Sequence, residues 1–443
     1  MKFTTIKNIL VSLVIPVLFL LSSCKIEPVP DPNNPSLDHL STNPTKGEIQ
    51  NLVTGTESGM RTDMSFYWHD LGALGRDYYH TSSSDPRWTT DLVGKAGAVL
   101  DNNTFYTTRP YNAAYLVVKN ANILLSGLTN TKTSITDQER KVGIAYANTV
   151  KAYELLLVWN LQYDNGIRVD VANPDALGPF LSRADALKRI IGLMDSAYTD
   201  LNANAATAFP FKTTLYGNTA GEFAKFNRAL AARMEVYNSE WSSALTDLEN
   251  SFFDLNGDLY KGAYYNYSTA GGDLLNPLYI PANSSGEVNI AQTSFVTDAE
   301  SPADKRLNKV SKRTTPYKTD DITGIYDLFL YKSNIDPLPI IRNEELLLIY
   351  AEAKIQLGGI SNFMDATIAL NKIRVASGLL PYSGPITQSA LITEMLKQRR
   401  YSLYGEGHRW IDMRRYNLLN TLPNDRPGDH VWPQFPRPAG EPQ

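Results

Sequence analysis

Aromatic side chains crowd two stretches of the chain that are otherwise rich in Gly, Ser, Thr, Asn and Asp, residues 61–103 and 255–338. An aromatic ring can stack on the apolar C–H face of a sugar, while Asp, Asn and Arg side chains bond to its hydroxyl groups. The rings predicted to contact such a ligand are Trp68, Tyr78, Tyr79 and Trp88 in the first stretch and Tyr264, Tyr265 and Tyr267 in the second. We expect them to stand exposed on rigid loops, as two walls of one site. The competing interpretation is that most of them are buried core aromatics.

No catalytic constellation accompanies these rings. The sequence has no G-x-x-x-x-G-K, H-E-x-x-H or G-x-S-x-G motif, and its five histidines are scattered. Asp77 and Asp85 are the only candidates for the carboxylate pair that glycoside hydrolysis requires. Hydrogen bonding to backbone or to ligand hydroxyls is the more ordinary use of such residues. We therefore predict a binding protein that is not an enzyme, with no catalytic residue and no cofactor.

Two further classes of site receive little support. Residues 254–258 (DLNGD) faintly resemble a calcium-binding loop, but they lack the glycine at position six and the terminal glutamate. They predict a turn that ends a helix, and no metal site is expected. The formal net charge of −4 argues against a nucleic-acid partner.

The elements that must position the rings are predicted to be helices. Residues 342–357 form one helix, ended by Gly358 and Gly359, and residues 363–377 form a second. The predicted apolar face of the first consists of Leu346, Ile349, Tyr350, Ala353 and Leu357. Two helices joined by a short Gly turn make a hairpin, and stacked hairpins of about 34 residues are the tetratricopeptide architecture.

The same pattern recurs along the chain. Further helices are predicted at residues 45–60, 108–127, 137–161, 183–201, 222–237 and 241–253, with Ser182 as an N-cap. We predict a mainly α fold of about four tetratricopeptide-like hairpins, over residues 45–254 and 339–416. A loop-rich, irregular second lobe would occupy residues 255–338, with short β pieces near 288–295 and 326–331. A Pro-rich tail, residues 417–443, would be anchored by Trp432 and Phe435.

The first residues are predicted to lie outside this domain. Two lysines precede an apolar run of about thirteen residues, which is too short to span a bilayer and predicts a signal peptide over residues 1–23. Residues 21–24 (LSSC) resemble a bacterial lipobox, and the single cysteine, Cys24, lies where the lipid would be attached. Residues 24–44, rich in Pro, Asn and Asp, would form an extended tether. The alternative is a simple secretory signal with an incidental cysteine.

Three motifs resemble those of the SusD/RagB family of nutrient-binding outer-membrane lipoproteins. The first is R-x-x-E-x-x-L-x-x-A-E-A from Arg342 to Ala353, and the second is N-K-I-R from Asn371 to Arg374. The third runs from Arg399 to Arg415 and contains E-G-x-R-W-x-D. The family usually carries two further glutamates where this chain has Gln398 and Ser402. The alternating charges of the third motif predict structural ion pairs rather than an anion site.

The resemblance implies a function and a location. Such a protein captures a glycan or related nutrient at the cell surface, is held in the outer membrane by its N-terminal lipid, and covers a TonB-dependent, SusC-like transporter as a lid. The helical wall would face the transporter. Two alternatives stay open: the same fold binding a peptide or another non-sugar nutrient, and a surface glycoside hydrolase built on a helical scaffold.

Overall fold

The computed structural model describes residues 36–441, which form the mainly α-helical fold that the sequence predicts. The predicted signal peptide and the lipid attachment at Cys24 lie outside the described residues. Within residues 36–441, no helix has the length and apolar character needed to cross a bilayer.

The helices are α1 (Leu37–Thr42), α2 (Lys46–Gly59), α3 (Met64–Leu74), α4 (Arg87–Thr90), α5 (Phe105–Asn130), α6 (Asp137–Gln162), α7 (Arg183–Ala203), α8 (Ala220–Tyr237), α9 (Trp241–Glu249), α10 (Ser294–Thr297), α11 (Asn343–Leu357), α12 (Ile360–Ala376), α13 (Gln388–Ser402) and α14 (Arg409–Arg415). The strands are β1 (Tyr78–Thr81), β2 (Ile167–Arg168), β3 (Phe180–Leu181), β4 (Gly262–Tyr265), β5 (Val288–Ala291), β6 (Val310–Thr319), β7 (Ile322–Leu328) and β8 (Leu338–Arg342).

Consecutive long helices pack side by side to form the scaffold. α5 packs on α6, α6 on α7, α7 on α8 and α8 on α9, after which α9 packs on α11 and α11 on α12. Their starts are fixed locally, because Thr45, Thr136 and Thr219 each form a capping box with the glutamate three residues on. Ser182 caps α7 as predicted, by accepting a hydrogen bond from Asp185 N. Gly358 and Gly359 end α11 with positive φ angles of 73° and 85°.

The expected one-sided apolar face of α11 is wrong. Leu346, Leu347, Leu348, Ile349 and Ala351 are all buried although they point in every direction around the helix. α8, α9, α12 and α13 all pack against α11, so that it is the central helix of its half of the molecule. Leu357, predicted to lie on the apolar face, is exposed at the end of the helix.

The first aromatic stretch is more ordered than the predicted loop. Residues 64–74 form α3, and β1 follows as the edge of a four-stranded sheet of order β1-β5-β7-β6. β1 pairs antiparallel with β5, with Tyr79 opposite Ile290 and His80 opposite Asn289. The expected β pieces near residues 288 and 326 are the strands β5 and β7 of this sheet. The lobe formed by residues 255–338 is thus partly a sheet that includes a strand from the N-terminal half.

The two ends of the described chain pack onto the body. Residues 36–44 were expected to belong to an extended tether, but they form α1 and a turn held against α5, where Thr131 Oγ1 donates to Pro44 O at 2.6 Å. At the other end, Phe435 is buried, and its backbone N donates to Leu161 O at 3.0 Å. Trp432 Nε1 donates to Asp91 O at 2.7 Å. Both predicted anchors of the tail are confirmed.

Candidate functional site

A cavity of about 380 Å³ opens where α3, β1, α4 and α5 meet the second lobe. The chain reaches it by a tight turn after β1, in which Ser82 and Asp85 form an isolated β-bridge, and α4 then places Trp88 in the wall. Its lining residues are Ser65, Phe66, His69, His80, Ser82, Ser84, Asp85, Trp88, Phe105, Arg109, Pro277 and Glu287.

Three interlocked rings form the apolar wall. Trp88 stacks on Phe66 with centroids 5.7 Å apart and planes at 21°, and its centroid lies 4.5 Å from that of Phe105. Two guanidinium groups lie over the outer rings, Arg109 at 4.7 Å from the Phe66 centroid and Arg87 at 5.1 Å from that of Phe105. Rings held on several sides lose little freedom when a ligand stacks on them, which favours binding.

The polar side of the cavity is fixed in advance. Asp85 accepts hydrogen bonds from Arg87 Nε at 2.9 Å and Nη2 at 2.6 Å, and from the backbone N of Arg87 at 3.0 Å. These bonds to Arg87 hold the pKa of Asp85 below its ordinary range. Ser82 and Ser84 share a hydroxyl hydrogen bond of 2.8 Å. The cavity thus offers an ionised carboxylate and hydroxyl groups beside an aromatic wall.

Two buried histidines lie edge-on to Trp88, with centroid separations of 5.6 Å for His69 and 4.7 Å for His80. His80 Nδ1 lies 2.9 Å from Asn289 Oδ1 and donates to it, because an amide oxygen can only accept. Burial lowers the pKa of both imidazoles, and the neighbouring His80 lowers that of His69 further. Both rings are therefore neutral at neutral pH, and this part of the cavity wall is uncharged.

The predicted ring residues do not form two facing walls. The expectation that they stand exposed is wrong for six of the seven, which are buried in the core: Trp68, Tyr78, Tyr79, Trp88, Tyr265 and Tyr267. Several of them are held there by their polar atoms: Tyr79 Oη donates to Asp425, Tyr265 Oη to Tyr153 Oη at 3.1 Å, and Tyr267 Oη to Met64 Sδ at 2.6 Å.

Two of the seven predicted residues border large cavities, and the cavities differ. Trp88 lines the one described above although only 7% of it is exposed. Tyr264 is half-buried and lines a separate cavity between β4 and α11. Ligand contact at either ring stays a prediction.

Phe105, Arg109 and the two histidines were not among the predicted site residues. Phe105 and Arg109 are four residues apart and share a face at the start of α5, a spacing visible in the sequence. The sequence gives no such signal for the histidines, because His69 on α3 and His80 on β1 are brought together only by the turn between these two elements. Their stacking depends on tertiary structure.

The structure separates the two carboxylates considered for catalysis. Asp85 lines the cavity, whereas Asp77 is buried away from it and accepts a hydrogen bond from Gly405 N at 3.3 Å. Burial raises the pKa of Asp77 to about 6, against the lowering effect of Arg409 at 3.7 Å. Hydrogen bonding to backbone is thus the role of Asp77 in the fold. Among residues 36–441, no cluster of His, Cys, Asp and Glu has the arrangement of a metal site.

The charged residues of the family motifs form buried ion pairs, as predicted. Arg399 Nε lies 2.6 Å from Asp412 Oδ2, and Arg415 Nη1 lies 2.8 Å from Glu352 Oε1. These pairs connect α13 and α14 to the central helix α11. At the two departures from the family pattern, Gln398 and Ser402 both accept from Arg306 Nη1, at 2.7 and 3.1 Å. Neutral acceptors are sufficient for the Arg306 guanidinium, because its charge is already paired with Asp304 at 2.7 Å.

Comparison with known proteins agrees with the motifs and the fold. The model of the SusD family matches residues 331–432, which contain all three motifs. No curated protein matches the chain in sequence.

Solved structures of SusD superfamily proteins share the fold over most of the chain. A SusD superfamily protein from Bacteroides vulgatus has a TM-score of 0.66 at 16% identity, over 89% of this chain and 96% of that one. Surface glycan-binding protein A from Bacteroides thetaiotaomicron has a TM-score of 0.67 at 16% identity, again over 89% and 96%. The same protein in complex with laminarihexaose has a TM-score of 0.64 at 16% identity, over 88% and 94%. The resemblance to the SusD/RagB family is therefore confirmed, in sequence at residues 331–432 and in fold over most of the chain.

Proposed function

We propose that this protein binds an oligosaccharide in the cavity lined by Trp88 and releases it unchanged. The observation that carries the proposal is the Trp88 wall beside the fixed Asp85 carboxylate. The rings match the apolar face of a pyranose, and Asp85, Arg109 and the serines match its hydroxyl groups. A protein of the same fold has been solved with laminarihexaose, which supports this class of ligand.

Binding needs no change in the covalent structure of the ligand. Among the described residues, none of the cavity's serines hydrogen-bonds to a histidine or a carboxylate, and its carboxylates, Asp85 and Glu287, share no hydrogen bond. Asp85 is committed to Arg87 and stays ionised, whereas a glycosidase needs one protonated carboxylic acid at the scissile bond. Incubation of the purified protein with bound glycans should release no reducing ends.

A panel of neutral polysaccharides, oligosaccharides and peptides tests the ligand class by isothermal titration calorimetry. Trp88→Ala should weaken binding of the preferred glycan by about 1–3 kcal/mol, the loss of a central aromatic contact. The matched control is Trp241→Ala, which removes a partly buried tryptophan that lines neither this cavity nor the one that contains Tyr264. Tight binding of a peptide with none of the glycans would favour the non-sugar alternative. Glycan binding that survives Trp88→Ala unchanged would place the site elsewhere.

The anchoring and delivery steps are part of the same proposal. Cleavage before Cys24 and lipidation of its thiol would hold the protein in the outer membrane at the cell surface, because two or more acyl chains give stable anchoring. Cys24→Ala should move the protein from the membrane fraction to the soluble fraction and abolish incorporation of labelled palmitate. If residues 1–23 are a simple secretory signal, both the wild type and Cys24→Ala should be found in the soluble fraction.

The surface that would face a TonB-dependent transporter is an apolar stripe on α12. Ile360, Met364, Ile368 and Val375 are all exposed, and their spacing puts them on one side of the helix. Apolar side chains that line up on the outside of a soluble domain are typical of a protein interface. This stripe lies on the helical wall, the side that the family resemblance assigns to the transporter.

Serine substitutions test the stripe. Ile360→Ser, Met364→Ser and Ile368→Ser together should abolish co-purification of a TonB-dependent barrel from detergent-solubilised membranes of the native host, and should leave glycan affinity intact. Leu116→Ser is the control, because Leu116 is exposed to a similar degree but lies on α5. A barrel retained by the triple variant would rule out this surface.

A further inference from the structure

A second cavity, of about 450 Å³, lies between β4, the start of α11 and the loop that follows β7. It shares no lining residue with the cavity at Trp88. Its volume is within the range of roughly 300–1,000 Å³ that is usual for small-molecule sites. Its lining includes Tyr260, Tyr264, Phe329 and Tyr331 together with Lys305, Lys309, Lys332 and Arg342.

The wall that carries the two tyrosines is anchored to the scaffold. Backbone hydrogen bonds of 2.9 Å run from Asn343 N to Lys261 O and from Glu344 N to Leu259 O, on either side of Tyr260. The Tyr264 hydroxyl donates to Tyr260 O. β4 can lie this close to β8 because Gly262 has no side chain; a Cβ there would approach Ile341 O to 2.3 Å. The exposed Tyr260 ring is thus held on a fixed support.

The opposite walls are equally constrained. Phe329 N donates to Lys309 O at 2.7 Å, and Lys305 N donates to Ser377 O at 2.9 Å. Asp336 accepts from Lys332 N at 2.6 Å and from Ser333 Oγ at 2.6 Å, which fixes the loop after β7. A cavity with three anchored walls is preformed, and a ligand that enters it orders little new structure.

The carboxylates at the bottom of the cavity are already neutralised. Arg342 pairs with Glu344 at 2.8 Å and with Glu406, and all three are buried. Lys309 lies beside them and donates to Ser402 O at 2.5 Å and Tyr401 O at 3.1 Å. At the bottom of the cavity, Arg342 and Lys309 therefore balance the charges of Glu344 and Glu406.

The rim is left with excess positive charge. In the part of the chain that the structure describes, the lysines within 4.0 Å of a carboxylate are Lys95, Lys354 and Lys397. Lys305 and Lys332 are not among them, and both are exposed. The Lys332 ammonium lies 5.2 Å from the Phe329 centroid, so that a cation and an apolar surface are side by side. Asp336, the remaining rim carboxylate, accepts hydrogen bonds from residues 332 and 333 and keeps its charge, so the rim carries two lysines against one carboxylate.

We propose that this second cavity binds an acidic saccharide, with a sugar ring against Tyr260 and a carboxylate between Lys305 and Lys332. Neutral glycans would gain only the aromatic contact, whereas a uronate gains both. Desolvation by burial lowers the pKa of Lys309 to about 8, so an added anion at this cavity also favours its charged form. The inference is independent of the Trp88 cavity, because the two share no residue.

Calorimetry with trisaccharides of galacturonate, glucuronate and mannuronate, each beside its carboxyl-reduced neutral counterpart, tests the proposal. At least one uronate should bind about tenfold or more tightly than its neutral counterpart, and its affinity should fall as sodium chloride is raised. Lys305→Ala with Lys332→Ala should remove that preference, and Tyr260→Ala should weaken binding by about tenfold. Both lysines and Tyr260 are exposed, so these variants keep the folded core.

Trp88→Ala separates this proposal from the one before it. It should leave uronate binding unchanged while it weakens the neutral glycan of the first cavity. The proposal is overturned if no uronate is preferred over its neutral counterpart, or if a preference persists in the double lysine variant. Loss of uronate binding in Trp88→Ala with full binding in Tyr260→Ala would assign the acidic ligand to the first cavity instead.

Discussion

His69 and His80 stack face to face, with ring centroids 4.2 Å apart and ring planes at 18°. Stacking of this kind is compatible with two neutral imidazoles and unfavourable for two imidazolium ions in a buried site. The pair lines the cavity at Trp88, so its protonation state bears on both stability and ligand binding.

Acidification should destabilise the protein through this pair. The folded pKa of each histidine lies below the ordinary value of about 6.5, so the unfolded chain binds more protons as the pH falls. The stability that the neutral pair contributes is complete above about pH 6.5 and is lost progressively below it. Urea unfolding at several pH values should show a smaller pH dependence for the double variant His69→Gln, His80→Gln than for the wild type.

The control for that comparison is Leu116→Ser, which changes an exposed side chain that does not titrate. It should keep the pH dependence of the wild type. Asp77, whose pKa is about 6, makes the folded protein more stable as the pH falls, which is opposite to the effect of the histidines. The informative quantity is therefore the difference in pH slope between the variants. Equal pH slopes for the wild type and the double histidine variant would contradict the interpretation.

Asp70 is predicted to be a destabilising residue at neutral pH. It is fully buried, neither carboxylate oxygen has a hydrogen-bond partner in the described chain, and burial raises its pKa well above the ordinary value. The folded protein must hold a proton there that the unfolded chain releases, so this residue lowers stability as the pH rises above about 4. Asp70→Asn should raise the free energy of unfolding at pH 7 by about 1–3 kcal/mol. The exposed Asp321→Asn should change it little.

The Arg233–Glu345 pair is a stability determinant that can be dissected. Arg233 Nε and Nη2 each lie 2.6 Å from a different oxygen of Glu345, and both residues are buried. Arg233→Met should cost about 3–5 kcal/mol, because it leaves Glu345 charged and unpaired. Adding Glu345→Gln should recover part of that loss, and a double-mutant cycle in urea measures the coupling. Losses that simply add would show that the pair does not act as a unit.

Gly94 holds the C-terminal tail close to the aromatic segment. It has a φ of +73°, and a Cβ there would lie 2.0 Å from His430 O. Gly94→Ala should therefore destabilise the protein by more than the roughly 1 kcal/mol that a positive φ costs a non-glycine residue. Gly97→Ala is the matched control, since Gly97 also has a positive φ, +82°, but faces open space. A similar loss of Tm in both variants would mean that contact with the tail adds nothing.

Local signals in the sequence predict the helix ends. The cap at Ser182 and the stop at Gly358 depend on residues a few positions apart, and both are confirmed. The charge pattern of the third motif likewise predicted ion pairs. These features need no knowledge of distant contacts.

Features that depend on distant parts of the chain could not be predicted in this way. α11 is covered on all sides by helices from both halves of the molecule, so it is buried all round although its sequence suggests one apolar face. Residues 78–81 become a strand only because residues 288–291 pair with them. The rings of the first aromatic stretch are buried in part by the tail, where Trp432 caps Asp91 O across more than three hundred residues. A polar, aromatic-rich composition alone cannot distinguish such a covered segment from an exposed loop.

The tail also determines when the aromatic segment can finish packing during folding. Phe435 contacts Tyr106 and Trp410, and Arg76 donates to His430 O at 3.1 Å. Synthesis delivers the N-terminal half first, so the segment that builds the Trp88 cavity is only partly packed until the final residues are made. A polypeptide clipped shortly before Phe435 would keep its helical frame but leave the cavity wall unsupported, and proteases would reach that wall first.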